Sequence, residues 1–155
     1  MRTFHGLAEV EAAVGEVLGP TEWHEITQGE IQMFADATHD QYWIHTDPVR
    51  AADGPFGGTI AHGFLTLSHV PLFLSETYVI EGLQLILNYG LNKVRFPSPT
   101  PVNGRIRGHV EIAAVERGAK GSIRLWPRYV QQHDDEAQAG ECRYHRHSRS
   151  VVERH

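Results

Sequence analysis

Gly54-Pro55-Phe56-Gly57-Gly58 runs straight into Thr59-Ile60-Ala61-His62-Gly63-Phe64-Leu65-Thr66-Leu67-Ser68, and the apolar segment continues to about Leu74. The first part is too rich in glycine and proline to be regular structure. The second carries Ile60, Phe64, Leu67 and Leu74 at helical spacings, with Ala61, Leu65 and Leu72 on a neighbouring face. Apolar residues on nearly every side predict a helix enclosed by the rest of the chain. Thr59 is the expected N-cap, and Pro71 is expected to kink or weaken the helix. A glycine-rich approach to a buried helix N-terminus leaves the first amides unpaired at the positive end of the dipole. That end suits a carbonyl oxygen that becomes negative.

A helix can be enclosed only if other elements wrap it, and the chain supplies them in order. Leu7 to Val17 has helical periodicity, ended by Gly19-Pro20. Glu22 to Ile26 reads as a short strand. Thr27-Gln28-Gly29-Glu30 matches a capping box that starts a helix carrying Ile31, Phe34 and Ala35 inward and fading near Thr38. Asp47-Pro48 starts another short helix, through Val49 to Ala52. Beyond the apolar helix, Gln84 to Phe96 reads as a long strand bent or bulged at Gly90, and Pro97, Pro99 and Pro101 make an extended turn. Val102 to Glu116 alternates, Arg117 to Gly121 is a turn, and Ser122 to Val130 attempts a return strand. Helices first and an antiparallel meander last give an α+β layout, in which a curved sheet can wrap the central helix.

The 155 residues fit one domain, 1–155, with no linker dividing them. No apolar run is long enough to span a membrane and no signal-peptide pattern is present, so a soluble cytoplasmic protein is expected. A formal net charge of −5 argues against nucleic acid as the main partner. The single cysteine, Cys142, leaves no internal disulfide and no cysteine-rich metal site.

Chemistry-bearing residues concentrate in Thr38-His39-Asp40-Gln41-Tyr42-Trp43-Ile44-His45-Thr46-Asp47-Pro48. Asp40 and His45 are five apart, so neither a regular helix nor a strand places them on one face. They converge only if this is a folded loop pinned by Trp43 and Ile44. Spacing leaves the plainer reading open, with Asp40 a loop residue and His45 a satisfied histidine beside the Asp47 cap.

Asp40-Gln41-Tyr42-Trp43-Ile44-His45-Thr46-Asp47-Pro48 followed by the Gly54-to-Leu67 segment resembles the MaoC-like (R)-specific enoyl-CoA hydratases. The likeness is strongest to the short single-domain branch with nodulation-protein-N-like members. Asn88-Tyr89-Gly90-Leu91-Asn92-Lys93-Val94-Arg95-Phe96-Pro97 resembles that branch too, and the similarity runs to about Gly121. It implies a hot-dog fold with the helix from about Thr59 at its centre, a homodimer joined sheet edge to sheet edge, and acyl-CoA thioesters as substrates. It implies Asp40 and His45 as the acid/base pair and Gly63 as the residue whose N–H polarises the thioester carbonyl. No metal or redox cofactor is required. Where many members carry Asn or Gln, this chain has Tyr42, which bears on how the loop is positioned.

Around this set, His62 and Ser68 are candidate substrate contacts, although a serine bonding back into its own helix is the ordinary alternative for Ser68. His62 and His69 are seven apart, but no carboxylate or cysteine accompanies them at metal-ligand spacing. Lys93 and Arg95 either meet the CoA phosphates or form a solvated strand face. A thioesterase on the same fold, or a non-catalytic acyl-CoA-binding subunit, is the alternative function.

After Gly121 the pattern changes. Trp126-Pro127 interrupts the alternation begun by Ile123 and Leu125, Gln131 to Glu136 is polar, and Arg143 to Arg149 has no apolar face. A divergent sheet edge, an out-of-frame ending and a basic arm are the three readings. The gene around the Gly121 codon separates them, since a one-base shift that restores a valine-rich ending identifies the second.

Overall fold

The computed structural model describes residues 1–118, 122–133 and 142–153. The expected turn therefore lies in part, at 119–121, outside the described residues, as do Asp134–Glu136 and 137–141. In chain order the elements are β1 (Arg2–Phe4), α1 (Leu7–Ala12), β2 (Val17–Leu18), β3 (His24–Glu25), α2 (Gln28–Thr38), α3 (Trp43–Thr46) and α4 (Pro48–Ala52). Then follow α5 (Gly63–Ser68), α6 (Val70–Thr77), β4 (Tyr78–Ile80), β5 (Leu83–Lys93), β6 (Arg105–Arg117), β7 (Ser122–His133) and β8 (Cys142–Glu153). The layout is α+β, and its antiparallel sheet and central helix are those of a hot-dog fold.

The sheet runs β2-β6-β7-β8-β5, with β3 also paired to β6, and β1 pairs in parallel with β4. β6 is the strand the core is built on. Ile106, Gly108, Val110 and Ile112 point inward and are buried, and the intervening residues are more exposed, as two-residue periodicity requires. Against Ile106, Val110, Ile112 and Leu125 pack Leu65, Val70, Phe73 and Leu74 of the helical segment, with Phe4, Val10, Ile26 and Ile31 closing the cluster.

Five expectations are corrected. The first helix stops at Ala12, not Val17, because Gly15 takes a positive φ of 93° and Val17–Leu18 pairs with Glu111 and Val110 of β6. The strand expected at Glu22–Ile26 shrinks to two residues. The central helix starts at Gly63, not Thr59, because Ile60 is bridged to Pro101 and the Thr59 hydroxyl bonds the Gln28 side chain. It also breaks at His69 rather than bending at Pro71, which sits at the start of α6 where its missing N–H costs least. Nor is the helix enclosed on every side within one chain, since Phe64 (67 % exposed) and Leu72 (40 %) face outward.

The local signals for α2 and α4 hold. The Thr27 hydroxyl accepts from Glu30 N–H at 3.2 Å, and Glu30 Oε2 accepts from Thr27 N–H at 2.7 Å. Asp47 Oδ1 accepts from Arg50 N–H at 3.0 Å. Thr27→Ala is expected to lower the unfolding free energy by about 1 kcal/mol in a urea titration, the usual effect of losing such a cap. β5 carries an irregularity between Asn88 and Gly90, as expected. Pro127 is an inner-strand residue of β7, and the β7–β8 ladder is interrupted between Leu125 and Tyr129, where a residue without N–H can be accommodated. The backbone of Cys142–Glu153 lies between β7 and β5, so the tail forms an inner strand rather than an edge.

Candidate active site

α2 ends at His39, whose left-handed conformation (φ 62°) turns the chain back on itself. Gln41 Nε2 then donates to Asp36 Oδ1 at 2.7 Å, and Gln32 Nε2 donates to the same oxygen at 2.9 Å, fastening the loop to α2. The segment expected to be irregular contains a single helical turn, α3, which swings His45 inward beneath Asp40. A carboxylate oxygen of Asp40 and imidazole nitrogens of His45 and His62 lie within 4.8 Å of one another. Two groups sharing one water are about 4.5 Å apart at ordinary hydrogen-bond lengths. Asp40 is exposed to solvent, and the two histidines are buried.

His45 is held on every side. Its Nδ1 lies 2.7 Å from the carbonyl of Ile60, which can only accept, so Nδ1 carries the proton and Nε2 presents its lone pair. Its ring stacks on that of His62 with centroids 3.8 Å apart. Burial pushes the His45 pKa below its ordinary value and the neighbouring His62 adds to this, while the Ile60 hydrogen bond and the Asp40 charge act the other way. The neutral ring is therefore favoured. His62 is not at the pocket surface; its Nε2–H donates to the Asp40 carbonyl at 3.0 Å, so it props the loop from below.

Sequence reasoning missed Gln28. Its Nε2 donates to the His45 carbonyl at 2.8 Å and its Oε1 accepts from the Thr59 hydroxyl, so the first turn of α2 ties the His45 turn to the glycine-rich approach. Nothing in the sequence signals this contact, because it joins positions 17 and 31 residues apart.

Gly63 is the first residue of α5. The Thr59 carbonyl four residues earlier is taken by Val102 N–H, and Leu65 and Thr66 both donate to His62, so the Gly63 amide has no carbonyl partner among the described residues. A pocket of about 310 Å³ opens there, with His45, Gly63, Thr66, Phe56, Phe96 and Thr100 in its lining. A Cβ added to Gly63 would lie 2.9 Å from the Phe96 ring, so no larger residue fits without displacing that ring. Ser68 takes the ordinary alternative and donates to the Phe64 carbonyl at 2.7 Å. Tyr42 precedes α3 in extended conformation, 55 % exposed, with its ring against Trp43 and outside the pocket lining. Lys93 and Arg95 are exposed, and Arg95 donates to the Val94 carbonyl at 2.8 Å. His62 and His69 do not form a pair. Each joins a separate cluster with a carboxylate from elsewhere, His62 with Asp40 and His69 with Glu30.

A family model described as a MaoC like domain matches residues 9–125. The 3-hydroxyacyl-thioester dehydratase Z of Mycobacterium tuberculosis is 51 % identical over 123 residues, covering 79 % of this chain and 82 % of that protein. Nodulation protein N of Rhizobium leguminosarum bv. viciae is 47 % identical over 116 residues, covering 73 % and 72 %. The solved (R)-hydratase from A. caviae involved in PHA biosynthesis superposes with a TM-score of 0.60 at 23 % identity, covering 91 % of this chain and 96 % of that one. With the family model spanning most of its length and a relative sharing half of its aligned residues, this chain belongs to the MaoC-like dehydratase family.

Proposed function

We propose that the protein interconverts trans-2-enoyl-CoA and (R)-3-hydroxyacyl-CoA by hydration and dehydration. The observation that carries this reading is that His45 and Gly63 open on one pocket with Asp40 within reach of a shared water. In hydration, His45 Nε2 takes a proton from that water while Asp40 orients it, and the water oxygen bonds to C3. Electrons move from the C2–C3 double bond toward the thioester, whose oxygen becomes negative against the Gly63 N–H. A proton returned from the same pair to C2 completes the addition, so no atom is left over. The reverse sequence expels water. The dehydratase similarity favours this reading over thioester hydrolysis or passive acyl-CoA binding.

A homodimer completes the proposal. β5 ends the sheet, and its Leu85, Leu87, Tyr89 and Leu91 are exposed, as are Phe64 and Leu72 on the central helices. A second copy meeting these surfaces would cover apolar area that one chain leaves open.

The test is loss of enoyl absorbance with crotonyl-CoA and longer enoyl-CoAs, with the configuration of the 3-hydroxyacyl product read by chiral chromatography. Thiol release without hydration product, or binding without turnover, overturns the proposal. The pH dependence carries a sign. Protonation silences the base, so kcat/KM falls on the acid side with a midpoint below the ordinary histidine value of 6.5. Asp40→Asn removes a charge that favours the imidazolium, and it is expected to move the His45 midpoint lower still in a proton NMR titration.

A further inference from the structure

The first turn of α2 holds a second cluster, outside the pocket. His24 of β3, Glu30 of α2 and His69 at the break between α5 and α6 bring two imidazole nitrogens and a carboxylate oxygen within 4.8 Å of one another. We infer that His24, Glu30 and His69 bind one divalent transition-metal ion of the zinc class.

Three observations lead there. First, the donors are pre-oriented by the groups behind them. Because the helix breaks at His69, its backbone N–H goes to Thr66, and the side-chain Nδ1 takes over the Leu65 carbonyl at 2.9 Å. That nitrogen must donate, which leaves Nε2 of the neutral ring with a bare lone pair. Glu30 Oε2 is occupied by the Thr27 N–H and hydroxyl, which leaves Oε1 for the histidines. A carbonyl behind a histidine and donors behind a carboxylate are the usual supports of metal ligands.

Second, Glu30 Oε1 faces both imidazoles, and His24 Nε2–H donates to it at 2.9 Å. His69 Nε2 lies 4.0 Å from Glu30 Oε1, a lone pair beside a carboxylate oxygen. A cation in place of the His24 proton would draw all three donors to one point.

Third, the geometry is near that of a closed site. His24 Nε2 is 2.9 Å from Glu30 Oε1 and His69 Nε2 is 4.0 Å from it. Ligands bound to zinc at 2.0–2.1 Å with tetrahedral angles are about 3.3 Å apart, between those two distances. The three donor atoms start within 4.8 Å of one another, so shifts of about 1.5 Å or less close the site. His24 and Glu30 are partly open to solvent, at 31 % and 25 % of their side-chain surface, which admits the ion and a water as fourth ligand.

The test is calorimetric titration of Zn²⁺ into full-length, tag-free protein, paralleled by the visible absorption of bound Co²⁺. The sequence also carries His145, His147 and His155, so the quantity read is the one equivalent of binding lost on substitution at the cluster. His24→Ala and Glu30→Gln are each expected to weaken that equivalent at least tenfold and to remove the tetrahedral Co²⁺ spectrum. They should also abolish the zinc-induced rise in unfolding temperature. Asp40→Asn should keep all three signals. Wild-type binding unchanged by both cluster substitutions, or lost in Asp40→Asn, overturns the inference, as does a wild-type protein that takes up no zinc at millimolar concentration.

Discussion

Asparagine in place of Asp40 lowers kcat/KM for an enoyl-CoA by about 10²–10⁴-fold, the range for removing one positioned proton-transfer group. Asp40 is exposed and its side chain carries no core packing, so the fold should survive and circular dichroism should be unchanged. His45 is different. It is buried, stacked on His62, and bonded through Nδ1 to Ile60, so His45→Ala removes a structural contact along with the reactive nitrogen. His45→Gln keeps more of that volume and separates the two effects. Both His45 variants are expected to lose activity to a similar degree, with Ala losing stability as well. The double variant with Asp40→Asn should lose little more than either alone, because the two groups act on one water. Full activity in Asp40→Asn and His45→Gln would remove both from the mechanism.

Gly63→Ala is expected to reduce kcat by about 10²-fold, close to the effect of misplacing one donor to a developing oxyanion. The substitution keeps the N–H and adds only a methyl group. That methyl meets the Phe96 ring at 2.9 Å, and relief requires moving either the ring or the start of α5. Overpacking of this kind typically costs about 1–3 kcal/mol, so urea unfolding should show a loss as well. Combining it with Phe96→Ala removes the obstacle and should restore part of the stability and part of the rate. A double variant no better than Gly63→Ala would show that the ring is not what constrains this amide.

Those two experiments rest on features of different legibility. The Thr27–Glu30 capping box, the Asp47-Pro48 start, the inward set Ile106, Val110 and Ile112 and the irregularity near Gly90 were readable because each is a local pattern, fixed within a few residues of chain. Asp40, His45 and Gly63 were nameable from a resemblance, while the spacing of Asp40 and His45 alone favoured a loop carboxylate and a satisfied histidine. The start of the central helix was misread because Thr59 is a good cap by type, yet its hydroxyl goes to Gln28 and its carbonyl to Val102. Distant partners outbid local propensity there.

The amino-acid sequence on its own determined which residues are apolar, where turns must fall, and that an unusual glycine approach meets an apolar helix. Only the tertiary structure decided that one helical turn brings Asp40 and His45 to a common point, that Gln28 ties that turn down, and that His69 belongs with His24 and Glu30. Backbone propensity acts over neighbours, whereas convergence of charged and polar groups depends on which segments the core packs together.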